Sequence, residues 1–197
     1  MKRLTLFAFA SMLLLPTAAF AHPAIGGGSG FAHGFMHPLS GIDHQLAMIL
    51  VGIFAYQIGG RALWALPLTF VGVMAIGGLL GALGFALPFV EIGIALSVII
   101  LGLAVAFGVK APVAAAAAAI GLFALFHGHA HGTEMPLAAS GLTFGLGFVL
   151  ATAALHAVGI GLGYVLGSSS RIFGDSVYRV AGGAASLAGV LLLAGFI

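Results

Sequence analysis

Cysteine is absent from this chain, and charge is scarce: 197 residues include only six Lys or Arg, four Asp or Glu and a single Trp. Without thiols there are no disulfides and no thiolate-bound metals. With 5% charged residues the chain cannot clothe a water-soluble surface of this size. It has no basic patch and no glycine loop of the phosphate-cradling kind. The sequence pI of about 9.4 therefore carries no implication of nucleic-acid binding, and no such partner is expected. The zinc-protease pattern HExxH is missing too. What fills the chain is apolar, with 62% hydrophobic residues and a mean hydropathy of +1.26. The first expected partner is the lipid bilayer.

The N-terminus reads as a secretory signal. Lys2 and Arg3 precede a short apolar run from Leu4 to Leu15, then Pro16 and the small-x-small triplet Ala19-Phe20-Ala21. Residues 1–21 are expected to be a cleavable signal peptide, and residues 22–197 a single polytopic transmembrane domain. Six spans are expected, at about 37–57, 62–86, 89–109, 111–131, 138–166 and 176–197. Each supplies the roughly 20 residues that a helix needs to cross about 30 Å of hydrocarbon, and only helices satisfy the backbone there. The fold class is thus all-α: a bundle of about six transmembrane helices, whose short loops predict antiparallel packing of sequential neighbours. Glycines four residues apart, Gly77/Gly81, Gly141/Gly145 and Gly159/Gly163, mark expected close helix contacts.

Charge placement gives the orientation. With the mature N-terminus outside, the loops near Arg61, Lys110 and Arg171/Arg179 fall inside, and these are all the Lys and Arg beyond the signal. Glu91 and Glu134 fall outside. This is the distribution that the positive-inside rule describes. It predicts a bacterial inner-membrane protein with both mature termini in the periplasm.

Against this apolar background two histidine-rich strings stand out. His37-Pro38-Leu39-Ser40-Gly41-Ile42-Asp43-His44 opens the first span, and Phe126-His127-Gly128-His129-Ala130-His131-Gly132-Thr133-Glu134 closes the fourth. Ionisable groups are costly in lipid and mark ion or proton pathways. Imidazole plus carboxylate without thiolate suits a borderline divalent cation, which makes a metal ion the expected small partner. Pro38 fits a first helical turn, and the 3.6-residue period then aligns His37, Gly41, His44 and Met48 on one face, with Asp43 beside it. His127 and His131 share a face at the outer end of span four, where the negative end of the helix dipole favours a cation. His129 points elsewhere. Secondary candidates are His22, which would offer an α-amine and an imidazole if cleavage exposes it, His129, Glu91 at the mouth, and His156 deep in span five. Each has a plain alternative as an interfacial, solvated or packing residue.

The two strings resemble those of the HupE/UreJ family of nickel and cobalt permeases. The likeness rests on His37-Pro38-x-x-Gly41-x-Asp43-His44 with Met48 and Gly52, on Phe126-His127-Gly128-x-Ala130-His131-Gly132-x-Glu134, and on the signal-plus-six-span layout. It implies metal-site positions at His37, Asp43, His44, His127, His131 and Glu134. It also implies Ni²⁺, or in some members Co²⁺, as transported substrate for hydrogenase or urease maturation, with no prosthetic group. The HAxxxDH signature of the other nickel/cobalt permease family is not found. Ligand chemistry alone leaves Ni²⁺, Co²⁺, Zn²⁺ and copper open. A competing enzymatic reading is an intramembrane zinc hydrolase in which the same His/Asp cluster holds a catalytic ion.

Overall fold

The computed structural model describes residues 30–135, 141–168 and 171–196; the expected signal peptide and His22 lie outside them. Pro38 and Ser40 decide where the first long helix begins. Helix α1 (Gly30–Met36) runs into a 3₁₀ turn, His37–Leu39, with Pro38 in its opening positions. The Ser40 backbone N–H and hydroxyl both take the His37 carbonyl, at 3.1 and 2.6 Å. That carbonyl is the one a continuing α-helix would offer to residue 41, so the turn ends there. Gly41 is extended (φ −98°, ψ 124°), and α2 (Ile42–Ile58) leaves it bent by 78° from the preceding segment. The first span is therefore a broken one. The helix expected from residue 37 begins at Ile42, and His37 does not share a helical face with His44.

Five more helices follow: α3 (Ala62–Ala82), α4 (Val90–Ala106), α5 (Val113–Thr133), α6 (Gly141–Gly167) and α7 (Arg171–Leu193). No strand occurs among the described residues. Four segments are individually long and apolar enough to cross a membrane: α3, α5, α6 and residues 175–193 of α7. The bent α1–α2 pair makes a fifth when counted as one span. Helix α4 has 17 residues, roughly 26 Å, just short of the hydrocarbon thickness. The molecule is inside-out by soluble standards. Leu68, Ile76, Phe85, Leu142 and Leu150 are exposed, whereas His44, Ser97, His127, His131, Thr152 and His156 are buried.

The expectation that sequential helices would be the closest neighbours is corrected. The dominant pairs are α3 with α5, α4 with α7 and α2 with α6. Without a hydrophobic drive between helices in lipid, pairing goes where small residues let backbones meet. A Cβ on Gly77 or Gly81 would strike the backbone of Leu125 or His129, and one on Gly128 or Gly132 would strike the Met74 or Gly78 carbonyl. Glycine thus lies on both surfaces of the α3–α5 contact, and the rising numbers on each side make it parallel. Gly52 and Gly159 meet in the same way between α2 and α6, as do Gly102 and Gly182 between α4 and α7. Of the three expected glycine pairs, Gly141/Gly145 is the exception: Gly145 faces open space and Gly141 touches only the Met135 side chain.

Candidate metal centre

The N-termini of α2 and α4 and the C-terminus of α5 meet at one end of the bundle, around the 3₁₀ turn. They enclose a cavity of about 210 Å³, lined among others by His37, Asp43, His44, Glu91, His131 and Glu134. Arg61, Lys110 and Arg179 belong to the opposite helix ends, where Gln57, Lys110, Asp175 and Arg179 line a second cavity.

The histidines form a file that runs inward from this mouth. His37 Nε2 lies 3.1 Å from Glu134 Oε2. Ring centroids are then 4.7 Å apart from His37 to His131, 4.1 Å from His131 to His44, and 4.7 Å from His44 to His127. Exposure drops from 59% for the Glu134 side chain and 27% for His37 to 5% and 7% for His131 and His44, and to zero for His127. One ligand atom each from His37, His131 and Glu134 falls within a 4.8 Å sphere of mutual distance, a grouping able to hold a metal ion.

Hydrogen bonding fixes which imidazole nitrogens are free. A carboxylate only accepts, so at 2.8 Å His44 Nδ1–H donates to Asp43 Oδ1, which also receives the His44 backbone N–H. The remaining His44 nitrogen, Nε2, is a bare lone pair, buried and without a partner. At His127 the same result comes from Ser97. Its hydroxyl donates to the Ile94 carbonyl at 2.6 Å, so it accepts from His127 Nε2–H at 2.8 Å. His127 Nδ1 is then the bare atom, again buried and unpartnered. Metal-ligating histidines are characteristically held this way, with the second nitrogen tied to a carboxylate or other acceptor. Asp43 accordingly sits behind His44 as its orienting group. Burying an unpaired polar nitrogen is costly, and both His131 nitrogens share that condition.

Packing sets these positions. Gly128 and Gly132 press α5 against α3, on either side of the turn that carries His131. A Cβ on Gly41 would lie 2.6 Å from Asp43 Oδ1 and 3.1 Å from His44 Nδ1, so this glycine leaves room for the Asp43–His44 clasp.

Five of the six principal candidates line the mouth cavity together with Glu91, and the sixth, His127, is buried behind them with its ring against His44. His129 does not join them. Its Nε2–H donates to the Phe85 carbonyl at 2.7 Å, tying α5 to the segment after α3. His156 is buried in α6, beyond Phe70. Ser97 was not anticipated, although a hydroxyl in the otherwise apolar run of α4 after Glu91 was the available signal. Ser97→Ala removes the acceptor that sets the His127 tautomer. It is expected to weaken metal binding about 10-fold, measurable by equilibrium dialysis with Ni²⁺, while leaving the helices intact.

Comparison with known proteins supplies the family. The family model described as HupE / UreJ protein matches residues 10–192. The chain belongs to the HupE/UreJ family. A relative, Protein HupE of Rhizobium leguminosarum bv. viciae, is 47% identical over 183 residues, covering 93% of this chain and 94% of that protein. No solved structure matches. This HupE/UreJ chain is a multi-pass membrane protein, and the two motifs that carried the resemblance are the ones that meet at its histidine file.

Proposed function

We propose that this protein is an inner-membrane permease that carries a divalent transition metal, Ni²⁺ first and Co²⁺ second, from periplasm to cytoplasm for the maturation of hydrogenase or urease. The observation that carries this reading is the file itself: successive imidazoles 4.1–4.7 Å apart, running from an exposed carboxylate to a fully buried ring. A resident site needs one polyhedron of donors. A passage needs donors in sequence, each close enough to accept the ion before the last releases it.

Capture begins at the mouth. Glu91 and Glu134 concentrate cations there, and an incoming ion takes the place of the hydrogen bond between His37 Nε2 and Glu134 Oε2. The C-terminal dipole of α5 favours positive charge at His131. The N-terminal end of α2 disfavours it, and Asp43 offsets that. Inward passage accords with the basic residues lying at the opposite end. Nickel ahead of cobalt, zinc or copper comes from family membership, since imidazole and carboxylate accept all four.

The hydrolase alternative finds less support. The hydroxyl beside the cluster, Ser97, is already committed to Ile94 and His127. Asp43→Asn tests the permease reading in cells. An amide is uncharged and can turn its NH₂ as well as its oxygen toward His44 Nδ1, so it no longer holds the ring in the tautomer that leaves Nε2 bare, and accumulation of radioactive nickel should fall about 10- to 100-fold at equal membrane abundance. Unchanged accumulation would remove Asp43 from the mechanism.

A further inference from the structure

We propose that His156 is a second, inner metal station and that Phe70 is the movable barrier separating it from the outer histidine file. His156 is 1% exposed, and neither ring nitrogen has a hydrogen-bond partner. A neutral imidazole always carries one N–H, and a packing histidine at this depth is held by giving that hydrogen to an acceptor. The file shows what the alternative looks like, because His131 in the outer cluster has the same two unpartnered nitrogens.

The position of His156 extends the path. It lies roughly 12 Å further along α6 than Phe148, whose ring packs on His131 of the outer cluster. One fully buried side chain neighbours both His127 and His156. The Phe70 ring sits 5.6 Å from His127 on one side and 5.1 Å from His156 on the other, edge-to-face with the latter at 84°. Phe70 has no ligand to offer, so an ion at His127 cannot step inward while that ring stays in place. Rotation of a single aromatic side chain opens the step, and the ring face is itself attractive to a cation passing over it.

Other donors flank the barrier. Met74, one turn along α3 from Phe70, takes a hydrogen bond from Thr152 at 3.7 Å, and Thr152 is one turn before His156 on α6. Imidazole nitrogen, thioether sulfur and hydroxyl oxygen, with no carboxylate, select a borderline or soft transition cation against Mg²⁺ or Ca²⁺.

The station is a binding claim, and only the barrier rests on the transport reading above, so two measurements on the full chain separate them. In nanodiscs with Co²⁺ alone as probe, Phe70→Ala should bind one more ion per chain than Phe70→Ala/His156→Leu. Equal stoichiometry would overturn the inner station. In proteoliposomes, His156→Leu should lose at least about 10-fold of the uptake rate, whereas His156→Met, which keeps a soft donor, should recover part of it. A packing role predicts instead that Leu and Met behave alike, and equal uptake by the two variants, or wild-type uptake by His156→Leu, would overturn the proposal. Should wild-type liposomes take up no metal, the permease reading and with it the barrier would fall, and the Co²⁺ count would still decide the station.

Discussion

Replacing His44 with alanine is expected to reduce nickel uptake about 100-fold, the upper end of what disturbed metal sites lose, and more than any other single change at the mouth. His44 is the one member of the file whose ring neighbours both His131 and His127, and its free Nε2 is presented by a hydrogen bond from the other nitrogen to Asp43. Without it the 4.1 and 4.7 Å steps merge into one gap too wide for direct ligand exchange. The outer group of His37, His131 and Glu134 would still capture metal. The variant should therefore bind nickel near the mouth and fail to pass it on. Measured side by side, retained binding with lost uptake is the expected signature. Uptake within twofold of wild type at equal membrane abundance would show that the ion does not travel through His44.

Gly128→Leu should have the largest effect on folding. A Cβ at Gly128 meets the Met74 carbonyl and, at 2.9 Å, the Gly78 nitrogen. Both obstacles are backbone, so no rotamer change relieves them and α3 must move away from α5. Overpacking of this kind costs about 3 kcal/mol, and here it also displaces His127, the adjacent residue. Gly145→Leu is the matched control, because nothing lies within 4 Å of the Cβ it would add. Heating detergent-solubilised samples and following the folded fraction by size exclusion should show Gly128→Leu collapsing well below wild type and Gly145→Leu close to it. Equal melting of all three would mean that the α3–α5 contact is looser than described.

The contrast between these glycines also shows how far the sequence can be read. Apolar length and the two histidine strings announced a helical membrane protein and a candidate metal site at one end, since both signals are local. The break at Ser40–Gly41 was not legible, because Pro38 fits the first turn of an α-helix as well as a 3₁₀ turn. The Ser40 hydroxyl on the His37 carbonyl then decided between them. Pairing of α3 with α5 depends on glycines from two distant segments meeting, and spacing within either segment cannot show which partner it meets. Ser97 and Phe70 are silent in sequence for the same reason. Their roles exist only because His127 arrives from another helix. Asp43 was visible as a candidate ligand, but its place behind His44 required the geometry of the pair.

The central claim is that metal crosses the membrane through the histidine file, and it is tested most directly by radioactive nickel uptake into sealed proteoliposomes of the purified protein. The prediction is saturable, time-dependent accumulation inside the vesicles, competed by excess Co²⁺ and absent from protein-free liposomes. Stoichiometric binding that never exceeds the protein present, with no nickel reaching the lumen, would contradict it.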